Sequence, residues 1–102
     1  MTSEEKIALK AQYPDQVLKT ANVTDGKGKK HLFVFMPLDR STMDLSGKEA
    51  LNSPTRSLEM QMVNSCVHGD KSLISTDDYV FRALVENWQA IQKSGEVELG
   101  EL

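Results

Sequence analysis

One short apolar run, residues 31–40, constrains the fold most, because its apolar part is brief and stops at Pro37. Six residues of this kind are too few for a typical helix and suit a β-strand. Successive side chains of a strand point to opposite faces. Phe33 and Phe35 therefore share one face, and Leu32, Val34 and Met36 share the other. A strand that is apolar on both faces has to be covered on both, by helices of its own chain or by a partner.

The size and charge of the chain limit the classes of protein it can belong to. Its 102 residues predict one domain, and 39% hydrophobic residues suffice for a modest core. A net charge of −3 argues against a nucleic-acid binder, which usually carries a basic face. The single cysteine allows no internal disulfide and fits a reducing cytoplasm.

The first residues and the hydropathy predict a soluble, cytoplasmic protein without a membrane anchor. The polar, acidic start lacks the basic residues and apolar core of a signal peptide. No apolar run approaches the roughly 20 residues that span a bilayer.

The N-terminal third predicts a helix followed by a hairpin. Thr2 and Glu5 have the spacing of a capping box for a helix over 2–13, which Pro14 ends. Strands are expected over 16–24 and 31–36, joined at Asp25-Gly26, a pair typical of tight hairpin turns.

The rest of the chain predicts three helices, over 40–51, 54–67 and 77–93, packed on the hairpin. Asp39 suits the N-cap of the first, and Ser53 with Pro54 suits the start of the second. The fold class is therefore α+β, with one domain over 1–94. Residues 95–102 are expected to form a mobile acidic tail.

Cys66, His68 and Asp70 form the one group that resembles a nucleophile with a base and an acid. Cys66, however, falls on the apolar stripe of its predicted helix with Met62 and Val63, where it packs as a small hydrophobe. A thiolate nucleophile needs an electropositive, partly exposed setting. We therefore expect no catalytic residues and no enzymatic activity.

Metal and nucleotide sites find little support in the residue pattern. Cys66, His31 and His68 are too few for structural zinc, so neither a metal nor another cofactor is expected. The lysine-rich turn at 25–30 lacks the full glycine spacing and the ending of a phosphate-binding loop. It is expected to be a solvated hairpin tip, and His31 beside it a solvated strand end.

Five residues are candidates for contact with a partner protein. Phe33 and Phe35 lie on a strand that needs covering on both faces. Met60 lies off the apolar stripe of its helix, and methionine repacks easily at adaptable surfaces. Val97 and Leu99 alternate with glutamates in the tail, as in a segment that orders on a partner.

Three features of residues 17–102 resemble small phage and prophage proteins of the tail-assembly-chaperone type. Residues 33–40, FVFMPLDR, join an aromatic strand through a proline to a basic helix start. Residues 63–70, VNSCVHGD, end a helix in an apolar-Cys-apolar stretch before Gly-Asp. An apolar helix over 78–92 and a tail rich in Glu and Leu close the chain.

This resemblance implies a non-enzymatic protein that binds a tape-measure-like tail protein during assembly and self-associates. Two other hypotheses remain open from the sequence. One is a small regulatory or nucleic-acid-associated protein acting through Lys27, Lys29 and Lys30. The other is an enzyme that uses Cys66 and His68.

Overall fold

The computed structural model describes residues 2–92 and residue 101, and it confirms the α+β class. The predicted tail therefore lies outside the described residues, apart from residue 101. Five helices and three strands follow one another in this order: α1 (Ser3–Gln12), β1 (Lys19–Thr24), β2 (Lys30–Phe35), α2 (Arg40–Ala50), α3 (Pro54–Ser65), β3 (Cys66–His68), α4 (Ser72–Thr76) and α5 (Asp78–Ile91).

The apolar run identified in the sequence forms β2, the central strand of a three-stranded antiparallel sheet in the order β1-β2-β3. On one side, β1 pairs with β2 from Lys19 opposite Phe35 to Thr24 opposite Lys30. On the other side, Phe35 lies opposite Cys66 of β3, with an irregularity beside it. β1 pairs along the whole of β2 and β3 pairs with its last two residues, Val34 and Phe35, so the end of the apolar run is held at the centre of the sheet.

The inner face of the sheet carries the core. Phe33 and Phe35 are fully buried there, and the Phe35 ring meets the Trp88 ring edge-on, with 5.1 Å between ring centroids. Burying a phenylalanine side chain contributes about 1.5–3 kcal/mol. The other buried members of this cluster come mainly from the helices: Val23, Met62, Cys66, Ile74, Val80, Leu84, Trp88 and Ile91.

Helix α5 covers this face because its apolar residues recur at helical spacing. Asp77 caps it, its side chain accepting the N–H groups of Tyr79 and Val80. Two polar side chains fix its far end. Trp88 Nε1 donates to Gln61 Oε1 of α3 at 2.9 Å, and the Gln92 amide bonds the main chain on both sides of Pro37.

The outer face of β2, which presents Leu32 and Val34, faces α1 across an open groove. Val34 is buried and Leu32 half-buried, and Leu9 of α1 lines the same groove. No residue of α1 is itself buried. The two-faced strand is thus covered within the chain, tightly on the inner face and loosely on the outer.

Helices α2 and α3 contact each other through small polar residues. Thr42 and Ser46 of α2 are buried, and the Ser57 hydroxyl of α3 donates to the Ser46 carbonyl at 2.7 Å. Such residues allow the two backbones to approach closely. The buried side of α2 is thus polar, while its large apolar side chains Met43 and Leu45 are exposed.

The predicted helix over 54–67 was too long, because it ends at Ser65 and the chain continues as β3. The helix ends there because the following residues pair with the side of β2 that faces away from β1. Met36 N donates to the Ser65 carbonyl at 2.9 Å, and Cys66 then pairs opposite Phe35. Gly69 follows β3 with a φ of +111°, and a Cβ there would lie 2.7 Å from the Leu32 carbonyl oxygen.

Three smaller expectations also need correction. The first strand begins at Lys19, not at residue 16, and a short helix that was not expected, α4, precedes the last helix. The hairpin loop spans 25–29, closed by the Asp25 N–H donating to the Lys29 carbonyl. Its positive φ falls on Gly28, while Gly26 packs against the Tyr79 ring.

Replacing Gly69 with alanine tests the close approach of the chain to β2. We expect G69A to lower the free energy of unfolding by about 1–3 kcal/mol, because its φ is positive and its Cβ would meet main chain. The matched change G47A lies in α2 with nothing within 4 Å, and should raise stability by about 0.5–1 kcal/mol. Urea denaturation measures both. Equal effects would contradict the proposed packing.

Candidate functional site

The outer edge of β1 presents main-chain groups that β2 does not use. The Asp25 N–H bonds the carbonyl of its partner Lys29, and hydrogen-bonded pairs alternate along an antiparallel ladder. Odd-numbered residues of β1 therefore bond β2, and the N–H and C=O groups of Thr20, Asn22 and Thr24 point away from it. No other strand pairs with this edge among residues 2–92.

Helix α5 and β1 line an inner groove of about 570 Å³. The helix side of the groove carries Ala83, Asn87 and Ala90, spaced four and three residues apart. These positions lie on one side of a helix, and their short side chains leave room above the edge strand. The inner groove therefore lies on the side of the sheet that alternate side chains of a strand added to β1 would face.

On the other face of the sheet, an outer groove of about 460 Å³ separates α1 from β1 and β2. Its floor is apolar, with Leu9, Leu32 and Val34. Lys6 and Lys10, one helical turn apart on α1, stand at its side. Both grooves share Leu18, Thr20 and Asn22, so they meet along the β1 edge.

Lysines are the charged residues along both grooves. Lys19 lines the inner groove and Lys6 and Lys10 line the outer one, with no carboxylate among the described lining residues. The ion pairs in the described part of the chain lie elsewhere, between Asp25 and His31 and between Glu49 and Arg56. The edge is thus locally positive on a chain whose net charge is −3.

The contact residues proposed from the sequence do not form this site. Phe33 and Phe35 are enclosed by the chain's own helices, so this fold presents neither ring to a partner. Met60 is half-buried beside a shallow depression on α3, remote in sequence from β1. Val97 and Leu99 lie outside the described residues.

The residues of the edge site carry a sequence signal that periodicity alone did not single out. Thr20, Asn22 and Thr24 alternate with Ala21 and Val23, as in a strand with one polar face. On α5, the small residues run beside the apolar stripe. Both patterns are also typical of ordinary solvent-facing surfaces, and only the sheet order brings them together.

Cys66 is packed in the core at the start of β3. It is 2% exposed, and its thiol donates to the His68 carbonyl at 3.2 Å. Burial raises the pKa of the Cys66 thiol, so the thiolate is disfavoured. In the group of Cys66, His68 and Asp70, the thiol is therefore buried and bonded to the main chain, which is not the setting that a thiolate nucleophile needs.

The hairpin tip is more ordered than a solvated loop. The Asp25 carboxylate accepts the N–H groups of Lys27 and Lys29, each at 2.9 Å, and lies 2.8 Å from His31 Nε2. The His31 side chain is 16% exposed, which corrects its expected position as a solvated strand end. The hydrogen bond from His31, followed by that from Lys29, lowers the pKa of Asp25. The three lysines of the loop, Lys27, Lys29 and Lys30, remain exposed.

Two further searches covered the described residues. Within 2–92 and 101, no three His, Cys, Asp or Glu side chains are grouped so as to hold a metal ion. None of the helices in the same part of the chain has the length and apolar character needed to cross a membrane.

Comparisons with protein-family models, with curated proteins and with solved structures found no match for this chain.

Alkylation tests the environment of Cys66. We expect a maleimide reagent to leave the native protein unmodified at neutral pH and to label Cys66 completely in concentrated urea, because burial shields the thiol and raises its pKa. Intact-mass measurement follows the reaction, and a protein with cysteine in place of the exposed Ser41 gives the rate for an accessible thiol. Labelling of native Cys66 at a comparable rate would contradict the packing.

The ordered hairpin tip predicts a specific dependence of stability on pH. A carboxyl pKa below its ordinary value of 3.8 means that the native state binds fewer protons than the unfolded chain. The stability that Asp25 contributes is therefore present above pH 3.8 and is lost as the pH falls from there through the lowered native pKa. We expect D25N to be less stable near pH 6 and to lose less stability between about pH 5 and about pH 2.5. D15N, which removes an exposed carboxylate, should show the same dependence of unfolding free energy on pH as the parent protein.

Proposed function

We propose that this chain is a non-enzymatic interaction protein that assists phage or prophage tail assembly by binding a tape-measure-like protein. The sequence resemblance over residues 17–102 suggests the biological setting. The observation that carries the binding role is the unpaired β1 edge between two grooves. An open strand edge is a template for pairing with another chain.

The shape of the edge supports binding over catalysis. Its exposed groups are main-chain donors and acceptors and small or polar side chains, which pair with a second strand and have no reactive centre. Natural proteins usually protect such an edge with a proline, a bulge, charged side chains or a covering segment. β1 has neither a proline nor a bulge in its pairing with β2, and Lys19 at its start is its one charged residue. An edge left in this state suits a protein whose partner completes the sheet.

The two sequence motifs that carry the resemblance lie side by side in this fold. Residues 33–40 form the end of β2 and the start of α2, and residues 63–70 include β3, which pairs with β2. Both motifs therefore build the scaffold behind the edge. On this interpretation a chaperone of this type keeps its scaffold motifs and recognises its partner through β1.

Co-expression of this chain with a tape-measure-like tail protein tests the proposal. We expect the large protein to be soluble and to co-purify with this chain, because the edge would cover an extended segment that otherwise aggregates. The large protein expressed alone, or with an unrelated small α+β protein, should remain mostly in the pellet. Nuclease digestion before purification separates a protein complex from association through nucleic acid. If nothing co-purifies and solubility does not change, the proposed function is wrong.

A further inference from the structure

We propose that the β1 edge binds an extended segment of the partner protein as a fourth strand, and that this segment alternates apolar with acidic side chains. The inference rests on the proposed function for its partner, and it adds the mode of binding and the chemistry of the bound segment. It is carried by the edge, the two grooves and their charges.

The main chain of β1 sets the mode of binding. Thr20, Asn22 and Thr24 direct three N–H and three C=O groups outward along one line. An extended peptide satisfies such groups by strand addition, in which main-chain bonds supply affinity and alternate side chains supply specificity. A peptide bound as a helix would leave these groups without protein partners.

The two grooves set the side-chain pattern. Alternate side chains of an added strand point to opposite faces of the sheet. Those on the inner face enter the groove beneath Ala83 and Ala90, where apolar side chains fill the room left by the small residues. Those on the outer face point to the side of the sheet that holds Lys6 and Lys10. Carboxylates on this side would pair with the lysine ammonium groups.

The charge distribution favours a partner segment over a second copy of β1. The sequence of β1 is KTANVT, with one lysine and no acidic residue. Pairing two β1 strands would therefore bring no carboxylate of either strand to Lys6 and Lys10. A segment with glutamate or aspartate at every second position places carboxylates on the outer face, beside these two lysines.

The experiment measures binding of a fluorescein-labelled octapeptide, Gly-Glu-Val-Glu-Val-Glu-Val-Gly, to the full chain by fluorescence anisotropy. A peptide with lysine in place of glutamate is the matched probe. We expect the glutamate peptide to bind at least about tenfold more tightly at low salt, with a difference that shrinks as salt screens the charges. Equal binding of the two peptides would overturn the charge assignment.

Amide hydrogen exchange tests the position of the bound strand. The peptide should slow exchange at Thr20, Asn22 and Thr24, whose N–H groups point outward. Ala21 and Val23 already donate to β2 and should change little. Protection confined to other surfaces would overturn the proposed edge.

Three variants, each with a matched control, test the edge main chain, the inner groove and the outer lysines. N22P removes an outward N–H and should weaken peptide binding about tenfold, whereas N22T keeps that N–H and should bind as the parent does. A90F fills the inner groove and should weaken binding, whereas A50F places the same ring on exposed α2 and should not. K6E/K10E reverses the charge of the outer groove and should weaken binding of the glutamate peptide, whereas K48E reverses one exposed charge on α2 and should not. Urea denaturation of every variant shows that a loss of binding does not reflect unfolding.

Further measurements show whether the chain's own C-terminal segment occupies the edge, and they distinguish a failure of the edge proposal from a failure of the proposed function. Residues 96–99 of this chain read EVEL and have the same alternation, so V97K/L99K is made in the full chain. We expect it to leave peptide affinity unchanged, and tenfold tighter binding would assign the edge to the chain's own segment. If the tape-measure-like protein co-purifies equally with N22P and A90F, the edge proposal is wrong and the function stands. If the peptide binds but no tape-measure-like protein co-purifies, the function is wrong and the edge stands.

Discussion

Contact between the β2 phenylalanines and Trp88 joins the hairpin to the helical part of this chain. Phe33 and Phe35 lie on the same face of the central strand, with ring centroids 6.2 Å apart, and Trp88 of α5 meets Phe35 edge-on. Each aromatic side chain buries a large apolar area, so the cluster contributes several times the free energy of a surface hydrogen bond. Both rings fit beneath α5 only if β2 is held at the centre of the sheet. β3 and the polar contacts of Gln61 and Gln92 hold the strand and the helix in that arrangement.

The same arrangement produces the candidate binding site. Helix α5 covers β2 with its apolar stripe, and its neighbouring stripe of small residues lines the inner groove with β1. Since β2 takes the central position, β1 pairs on one side only within the described residues 2–92. Core packing and an available edge are therefore two consequences of one helix position. The loose cover of α1 on the outer face adds lysines along the same edge.

Much of the fold followed from local patterns, and the expected α+β class is confirmed. The hairpin, the N-terminal helix and the starts of α2 and α3 were predictable because alternation, caps and Pro54 act within a few residues. The failures share a physical cause. Cys66 and Val67 continue the helical apolar pattern of α3, yet they belong to β3, whose Cys66 and His68 pair with β2, because an unpaired central strand gains more from a neighbour than a helix gains from another half-turn. His31 was misplaced for a related reason, since its partner Asp25 meets it only across the closed hairpin.

By itself, the sequence determined most of the helical and extended segments, though neither β3 nor α4, and which side chains had to be buried, because both depend on the spacing of apolar residues. It also required both faces of β2 to be covered. Only the tertiary structure decided what covers them, that β2 is central and that β1 is an edge. Strand order and helix placement depend on contacts between residues far apart in the chain, which periodicity does not encode. The candidate site consists of those contacts: an edge strand, a helix that follows it by more than fifty residues, and lysines from the first helix.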